Sequence, residues 1–204
     1  AGTNTVLTTI PVGTTPHGIA VSSNGSRVYT VNTGSASNSI SVIDAATNSV
    51  IATVPVDIGL EGVVVSPDGS RVYVTNSLTN EVVVVDASTN TIIATINPGF
   101  SPRGISITPD GNWVYVANTL SSNVSLISTV TNTVVTNIDV GIFPISFGNF
   151  IHAESSCTGA PQTFTITVSP TPTLAQPNDA VFCGNTTNTV QFTASPGATV
   201  QWTN

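Results

Sequence analysis

An all-β fold assembled from repeated four-stranded sheets is what this sequence predicts. Three observations carry that expectation. The same segment is written three times at a nearly fixed interval, each interval holds four short β-type runs separated by turn residues, and some of those runs have no polar face. The stretches "SRVYTVN" (26–32), "SRVYVTN" (70–76) and "NWVYVAN" (112–118) place Tyr29, Tyr73 and Tyr115 at separations of 44 and 42 residues. Thr47, Thr89 and Thr131 each open a Thr-Asn-Ser/Thr triplet at intervals of 42. Self-similarity at such a period marks a repeat architecture.

Each element follows from its residues. In the middle copy the strands are expected at 61–65 ("EGVVV"), 71–76 ("RVYVTN"), 81–86 ("EVVVVD") and 91–96 ("TIIATI"). Between the first two lies "SPDGS", with "SSNGS" and "TPDGN" in the other copies; Gly and Asn accept the positive φ of a tight hairpin. "VVVV" at 82–85 does not alternate, so that strand is expected to be covered on both faces. No helical periodicity separates the runs, which excludes a parallel α/β sheet. Four antiparallel strands per unit, covered on both sides by neighbouring units, describe a β-propeller blade. Three full repeats are expected, with an outermost strand at 3–12 and an innermost strand at 143–151. Three and a half blades fall short of the roughly four to eight of a closed ring. Further blades preceding Ala1, or several chains completing one another, are therefore expected. The chain also lacks Met, as a processed or partial product would.

"PDGSRVYVTN" (67–76) followed by "VVVVDASTNTIIATI" (82–96) resembles the YVTN-type β-propeller repeat of surface-layer and secreted proteins. The resemblance covers about residues 1–152. After Ala153 the pattern changes: an alternating strand (163–168) and a Pro-rich linker occupy 153–178, and 179–204 resembles the opening of an Ig-like or PKD-like module. Cys157 and Cys183, the two cysteines, lie in this region and match no metal-binding spacing. The resemblance leaves two disulfide readings: a Cys157–Cys183 bond, or a bond from Cys183 to a cysteine further along such a module.

Composition limits the partners. With 40% hydrophobic residues and rich Val and Ile, the chain can build a core, yet only 6% is charged and Lys is absent. A net charge of −7 with three Arg makes nucleic acid and anionic membranes poor partners. No apolar run approaches the roughly 18 residues of a membrane span. The low charge points to an extracellular, secreted or cell-surface setting.

Aligning the copies on their Tyr exposes one variable position twelve residues earlier. "TPHG", "GLEG" and "SPRG" hold His17, Glu61 and Arg103 there, and "FPIS" holds Ile145. Just before the innermost strand, these side chains are expected at the mouth of the central channel, where the resemblance places binding or catalytic sites. His17, Glu61 and Arg103 are thus the candidate ligand ring. The bland alternative is a wet funnel that tolerates any polar side chain. Asp44 and Asp86 are expected to cap turn amides, Asp68 and Asp110 to sit in hairpins with Asn24 in the equivalent place, and Arg27 and Arg71 to be solvated strand-edge residues. His152 is expected to be exposed. Asn24, Asn123 and Asn185 open N-x-S/T sequons. No Ser-His-Asp set, HExxH, P-loop or GxGxxG is present, and no catalytic residue, metal site or cofactor is expected. The favoured function is a non-catalytic surface adhesion or interaction scaffold, its partner a protein or glycan at the cell surface or neighbouring copies of itself. A surface-layer or fibre subunit and a propeller enzyme of lactonase or oxidoreductase type are the alternatives.

Overall fold

A computed structural model describes residues 5–34, 38–146, 148, 150 and 151. They belong to one compact unit, Ala1–Ala153. The expected linker, the Ig-like segment, His152, Asn185, Cys157 and Cys183 lie outside the described residues.

Among the described residues, twelve strands form three sheets. The first blade contains β1 (Pro16–Val21), β2 (Arg27–Asn32), β3 (Ser39–Asp44) and β4 (Ser49–Pro55). The second contains β5 (Leu60–Val65), β6 (Arg71–Asn76), β7 (Glu81–Asp86) and β8 (Thr91–Ile96). The third contains β9 (Pro102–Ile107), β10 (Trp113–Asn118), β11 (Asn123–Ser128) and β12 (Thr133–Asp139). Each sheet is an antiparallel meander in chain order, and the innermost strands β1, β5 and β9 pack side by side. This is the all-β, propeller-blade architecture the repeats predict.

The valine run of β7 shows why the blades stack. Val83 and Val85 enter one apolar core, shared with Tyr29, Val31, Val42 and Leu60. Val82 and Val84 enter another, shared with Ile105, Val114 and Ile127. A strand with a blade on each side needs no polar face, and each buried Val contributes about 1.5–3 kcal/mol. Tyr29 and Tyr73 are buried in these two interfaces, whereas Tyr115, on the outward face of the third blade, is half-exposed.

Turns follow the residue types. Gly25, Gly69 and Gly111 take φ of 69°, 73° and 73° in the β1–β2, β5–β6 and β9–β10 hairpins. Asn48, Asn90 and Asn132 take φ near 55° in the outer hairpins, where Asn tolerates the left-handed region.

The tetrad Tyr73-Val74-Thr75-Asn76 is structural throughout. Thr75 Oγ1 accepts from Gly62 N–H and donates to Arg103 O, both at 2.8 Å, joining two blades. Asn76 is buried; its Oδ1 accepts from the amides of Leu78 and Thr79, both at 3.1 Å, and its Nδ2 donates to Asp57 O at 3.2 Å. Asn32 and Asn118, at the same position, bond the hydroxyls of Ser41 and Ser125.

Two expectations are corrected. Residues 5–12 form no strand, and Val6 and Leu7 are exposed. No described strand lies beside them to complete a ladder. No described residue of 143–151 is in a strand either, although the segment follows β9: Phe150 N–H donates to Ser106 Oγ at 2.6 Å and Pro144 O accepts from Thr119 Oγ1 at 3.0 Å. Among the described residues no strand pairs it from the other side.

The inner strands touch at glycines. A Cβ on Gly62 would lie 2.6 Å from Arg103 O, and one on Gly18 would lie 2.4 Å from Glu61 O. Gly62→Ala should therefore destabilise the fold by about 1–3 kcal/mol, the cost of overpacking a filled interior. Gly141→Ala, where a Cβ meets nothing within 4 Å, should be near neutral, and urea titration of both variants checks the difference.

Candidate functional site at the channel mouth

The three rim residues share one backbone device. Pro16 pairs with Asn32 and Ile19 with Thr30, so His17 and Gly18 together oppose the single residue Val31. Glu61-Gly62 oppose Thr75, and Arg103-Gly104 oppose Ala117, in the same way. Each rim residue is thus the extra residue of a β-bulge, a device that bends a strand and re-aims a side chain. Two positions earlier the backbone enters the left-handed region in every copy: Thr15 (φ 54°), Gly59 (104°), Ser101 (53°) and Phe143 (54°). For Thr and Phe that is uncommon backbone, and at Thr15 it is held by the turn into the inner strand β1.

The bulges bring the three side chains together. His17 Nδ1 stands 3.5 Å from Glu61 Oε2, and Arg103 Nε stands 3.9 Å from Glu61 Oε1. Ser77 Oγ donates to Glu61 Oε1 at 3.0 Å and steadies the central carboxylate. His17 Nδ1 also lies 3.3 Å from Glu61 O. In the next interface the corresponding carbonyl, Arg103 O, is held by Thr75; Val31 stands at the Thr75 position in the first blade, and the His17 ring serves there instead. The side chains of His17, Glu61 and Arg103 are 52%, 21% and 42% exposed, so the cluster is open to a partner. Arg103 Nε is buried with no hydrogen bond, since 3.9 Å is an ion-pair distance only. The cluster borders a cavity of about 340 Å³ whose walls include Ile19, Val63, Ile105 and Ile145. Polar groups on an apolar wall can orient a ligand while its body is desolvated. Among the described residues no three His, Cys, Asp or Glu side chains converge as a metal site would require.

The remaining candidates have structural roles. Asp44 Oδ1 accepts from the amides of Ala46 and Thr47 and from Thr47 Oγ1. Asp86 does the same with Ser88 and Thr89, whose amides both lie at 2.9 Å. Asp68 and Asp110 accept from the amides of Ser70 and Asn112 in the inner hairpins, and Asn24 Oδ1 accepts from Ser26 N–H. That bond needs only one acceptor oxygen, which is why Asn can stand for Asp there. Asn123 sits at the start of β11 and accepts from Asn118 Nδ2 at 2.8 Å.

Arg27 and Arg71 are not merely solvated. Arg27 Nη1 donates to Ala87 O at 2.6 Å, and Arg71 Nη1 donates to Thr129 O. Each arginine latches its blade to the β-turn of the next. Trp113 replaces them in the third blade, and no described blade follows it. The same arginine twice, then its loss in the last copy, was the available signal. Ser77 and the bulge glycines were also missed; the Gly after every rim residue was their only trace in sequence.

The model of the YNCE-like β-propeller family matches residues 5–108. The chain belongs to that family. Among solved structures, this propeller is similar to Kuenenia stuttgartiensis hydrazine synthase, with 31% identity, 69% of this chain and 41% of that chain covered, and a TM-score of 0.60. A functionally unknown protein from Desulfotomaculum acetoxidans has 20% identity, 63% and 44% coverage and a TM-score of 0.58, a likeness of fold alone. The dihydro-heme d1 dehydrogenase NirN, in complex with DHE, has 26% identity, 55% and 24% coverage and a TM-score of 0.50. The propeller thus spans less than half the length of each. No curated protein matches it.

The turn carboxylates make the propeller acid-sensitive. Hydrogen bonds from the Ser88 hydroxyl and then the Thr89 and Ser88 amides hold Asp86 at about 2, below its ordinary 3.8. Asp44, Asp68 and Asp110 are lowered by the same kind of bond, led by the Thr47 amide, the Ser66 hydroxyl and the Thr108 hydroxyl respectively. Because the folded carboxyls ionise below the unfolded ones, their contribution is complete above 3.8 and is lost as pH falls towards about 2. The melting temperature should drop through that window. In Asp86→Asn, which keeps the acceptor oxygen, the drop should be shallower.

Proposed function

We propose that this propeller is a non-catalytic binding scaffold acting outside the cell, and that it holds a protein or glycan partner at the channel mouth through His17, Glu61 and Arg103. The observation that carries this reading is the rim itself. One repeat position holds three different polar residues inside an otherwise repeated frame, and the three meet around one carboxylate. Their mutual contacts are long, so a ligand's donors and acceptors can enter the pairs without first breaking short hydrogen bonds. The blade strands supply rigidity, and an Ig-like module after the propeller would carry it away from a cell surface. The low content of charged side chains supports the extracellular setting.

A second reading is favoured by one observation. Two of the similar structures, at 31% and 26% identity, carry the names of enzymes, a hydrazine synthase and a dehydrogenase. In that reading the propeller is one part of a larger enzyme, and its channel mouth contributes to the site where substrate or cofactor sits.

The test is a printed array of glycans and extracellular proteins, probed with the full chain and with the triple variant His17→Ala, Glu61→Ala, Arg103→Ala. Binding by the full chain should fall at least about tenfold in the variant, the loss of one strong contact. The melting temperature should change little, because the blade cores are untouched. Equal binding by both, or no binding by either, contradicts the rim assignment.

A further inference from the structure

The end of the propeller that carries the channel mouth also carries an arc of exposed apolar side chains. Ile58, Phe100 and Ile142 stand 42 residues apart, three positions before Glu61, Arg103 and Ile145 in the repeat. They lie in the connections into β5, into β9 and out of β12, and are 52%, 65% and 81% exposed. Leu78 and Leu120, in the β6–β7 and β10–β11 turns at the same end, are exposed as well. The corresponding position before β1 holds Thr14, so the arc begins at the second blade. Exposed apolar residues scattered singly are ordinary, but these five are joined.

Hydrogen bonds between the loops make the arc continuous. Within the second blade, Ser77 N–H donates to Gly59 O at 2.8 Å, and a Cβ on Gly59 would lie 2.7 Å from the Leu78 side chain. Within the third, Leu120 N–H donates to Phe100 O at 3.2 Å. Across the blade boundary, Ser101 N–H donates to Asn80 Oδ1 at 2.8 Å. Thr119 Oγ1 donates to Pro144 O at 3.0 Å and fastens the turn of Leu120 to the segment of Ile142. The turns at the other end of the strands are polar: among their described residues, Val130 is the one exposed large apolar side chain.

The charges along the arc are unbalanced. Asp57 adjoins Ile58, Glu81 follows the turn of Leu78, Asp139 precedes Ile142, and Glu61 stands at the rim. Against these four, this end has one cation, Arg103; the chain's other two arginines start β2 and β6 at the far end. The far end's described carboxylates, Asp44, Asp68, Asp86 and Asp110, are taken by their own turns. Among the described residues no donor reaches the side chains of Asp57, Glu81 or Asp139. An apolar arc bordered by uncompensated carboxylates complements a surface that sets lysine or arginine among apolar side chains. We propose that the arc docks a protein partner through such an apolar, basic segment, with Ile58, Phe100 and Ile142 against its apolar side chains. The proposal rests on the reading of the channel mouth as the binding end, and adds the class of partner.

The experiment is fluorescence anisotropy on the full chain with a labelled amphipathic peptide of leucine and lysine, beside its leucine–glutamate and serine–lysine counterparts. The leucine–lysine peptide should bind about tenfold more tightly than either counterpart. Ile58→Ser, Phe100→Ser and Ile142→Ser together should weaken it about tenfold and leave the melting temperature unchanged, because the three side chains are exposed. Binding that survives the rim triple variant but falls in the serine variant supports the arc and overturns only the rim assignment. Undiminished binding by the serine variant, no binding of the leucine–lysine peptide, or equal binding of either counterpart overturns the proposal. So does co-sedimentation with phosphatidylcholine vesicles, or a concentration-dependent dimer in sedimentation velocity, that the serine substitutions abolish; these would assign the arc to a lipid surface or to a second copy.

Discussion

The close approach of one inner strand to the next, made at a glycine, is the constraint on which the other features depend. At Gly18 and Gly62 the following blade's carbonyl occupies the space a Cβ would need, and at Gly104 the side chain and backbone of Ser146 do so. Only at such a distance can Thr75 bond its own blade's Gly62 amide and the next blade's Arg103 carbonyl at once. The glycine is also the second residue of a bulge whose first residue is turned to the rim. Packing and site geometry thus arise from one local arrangement. A side chain at the glycine would disturb both.

Around that inner contact the interface is built outwards in layers. Apolar side chains from alternate positions of a single strand enter two different cores, as in β7. Further out, the arginines of β2 and β6 reach the turn carbonyls of the next blade. At the hairpin tips, the first two blades are tied by a serine, while the second and third are left with a cleft. Repetition supplies the common scaffold, and single departures from it, a proline for a serine or a tryptophan for an arginine, create the places where one interface differs from another. Binding sites in such a molecule are expected at those departures rather than in the repeated core.

Much of this was legible in the sequence because it depends on period and residue type. The strand positions followed from the spacing of tyrosines and turn residues, and the two-sided burial of β7 from its unbroken valines. The alignment of His17, Glu61 and Arg103 followed from counting within the repeat. Their mutual distances did not, because a bulge is a pairing irregularity between two strands and the residue count of one strand does not reveal it. The arginine latches were misread for a related reason: their acceptors are backbone carbonyls some 60 residues away, which have no signature in residue type. Residues 5–12 and the described residues of 143–151 are not in the strands expected there, because β-type residues make a strand only when a neighbour supplies the ladder.

The functional reading requires that the channel mouth be rigid before any partner arrives. Its side chains are held by bulges that exist only while neighbouring inner strands stay interlocked. Native-state hydrogen exchange at the Gly62 amide, which donates to Thr75 Oγ1 at 2.8 Å, reports that interlock directly. If the interlock governs the fold, this amide exchanges only through global unfolding, at the same free energy as the Val84 amide in the centre of β7. Exchange of Gly62 through local opening, while Val84 remains protected, would contradict the account.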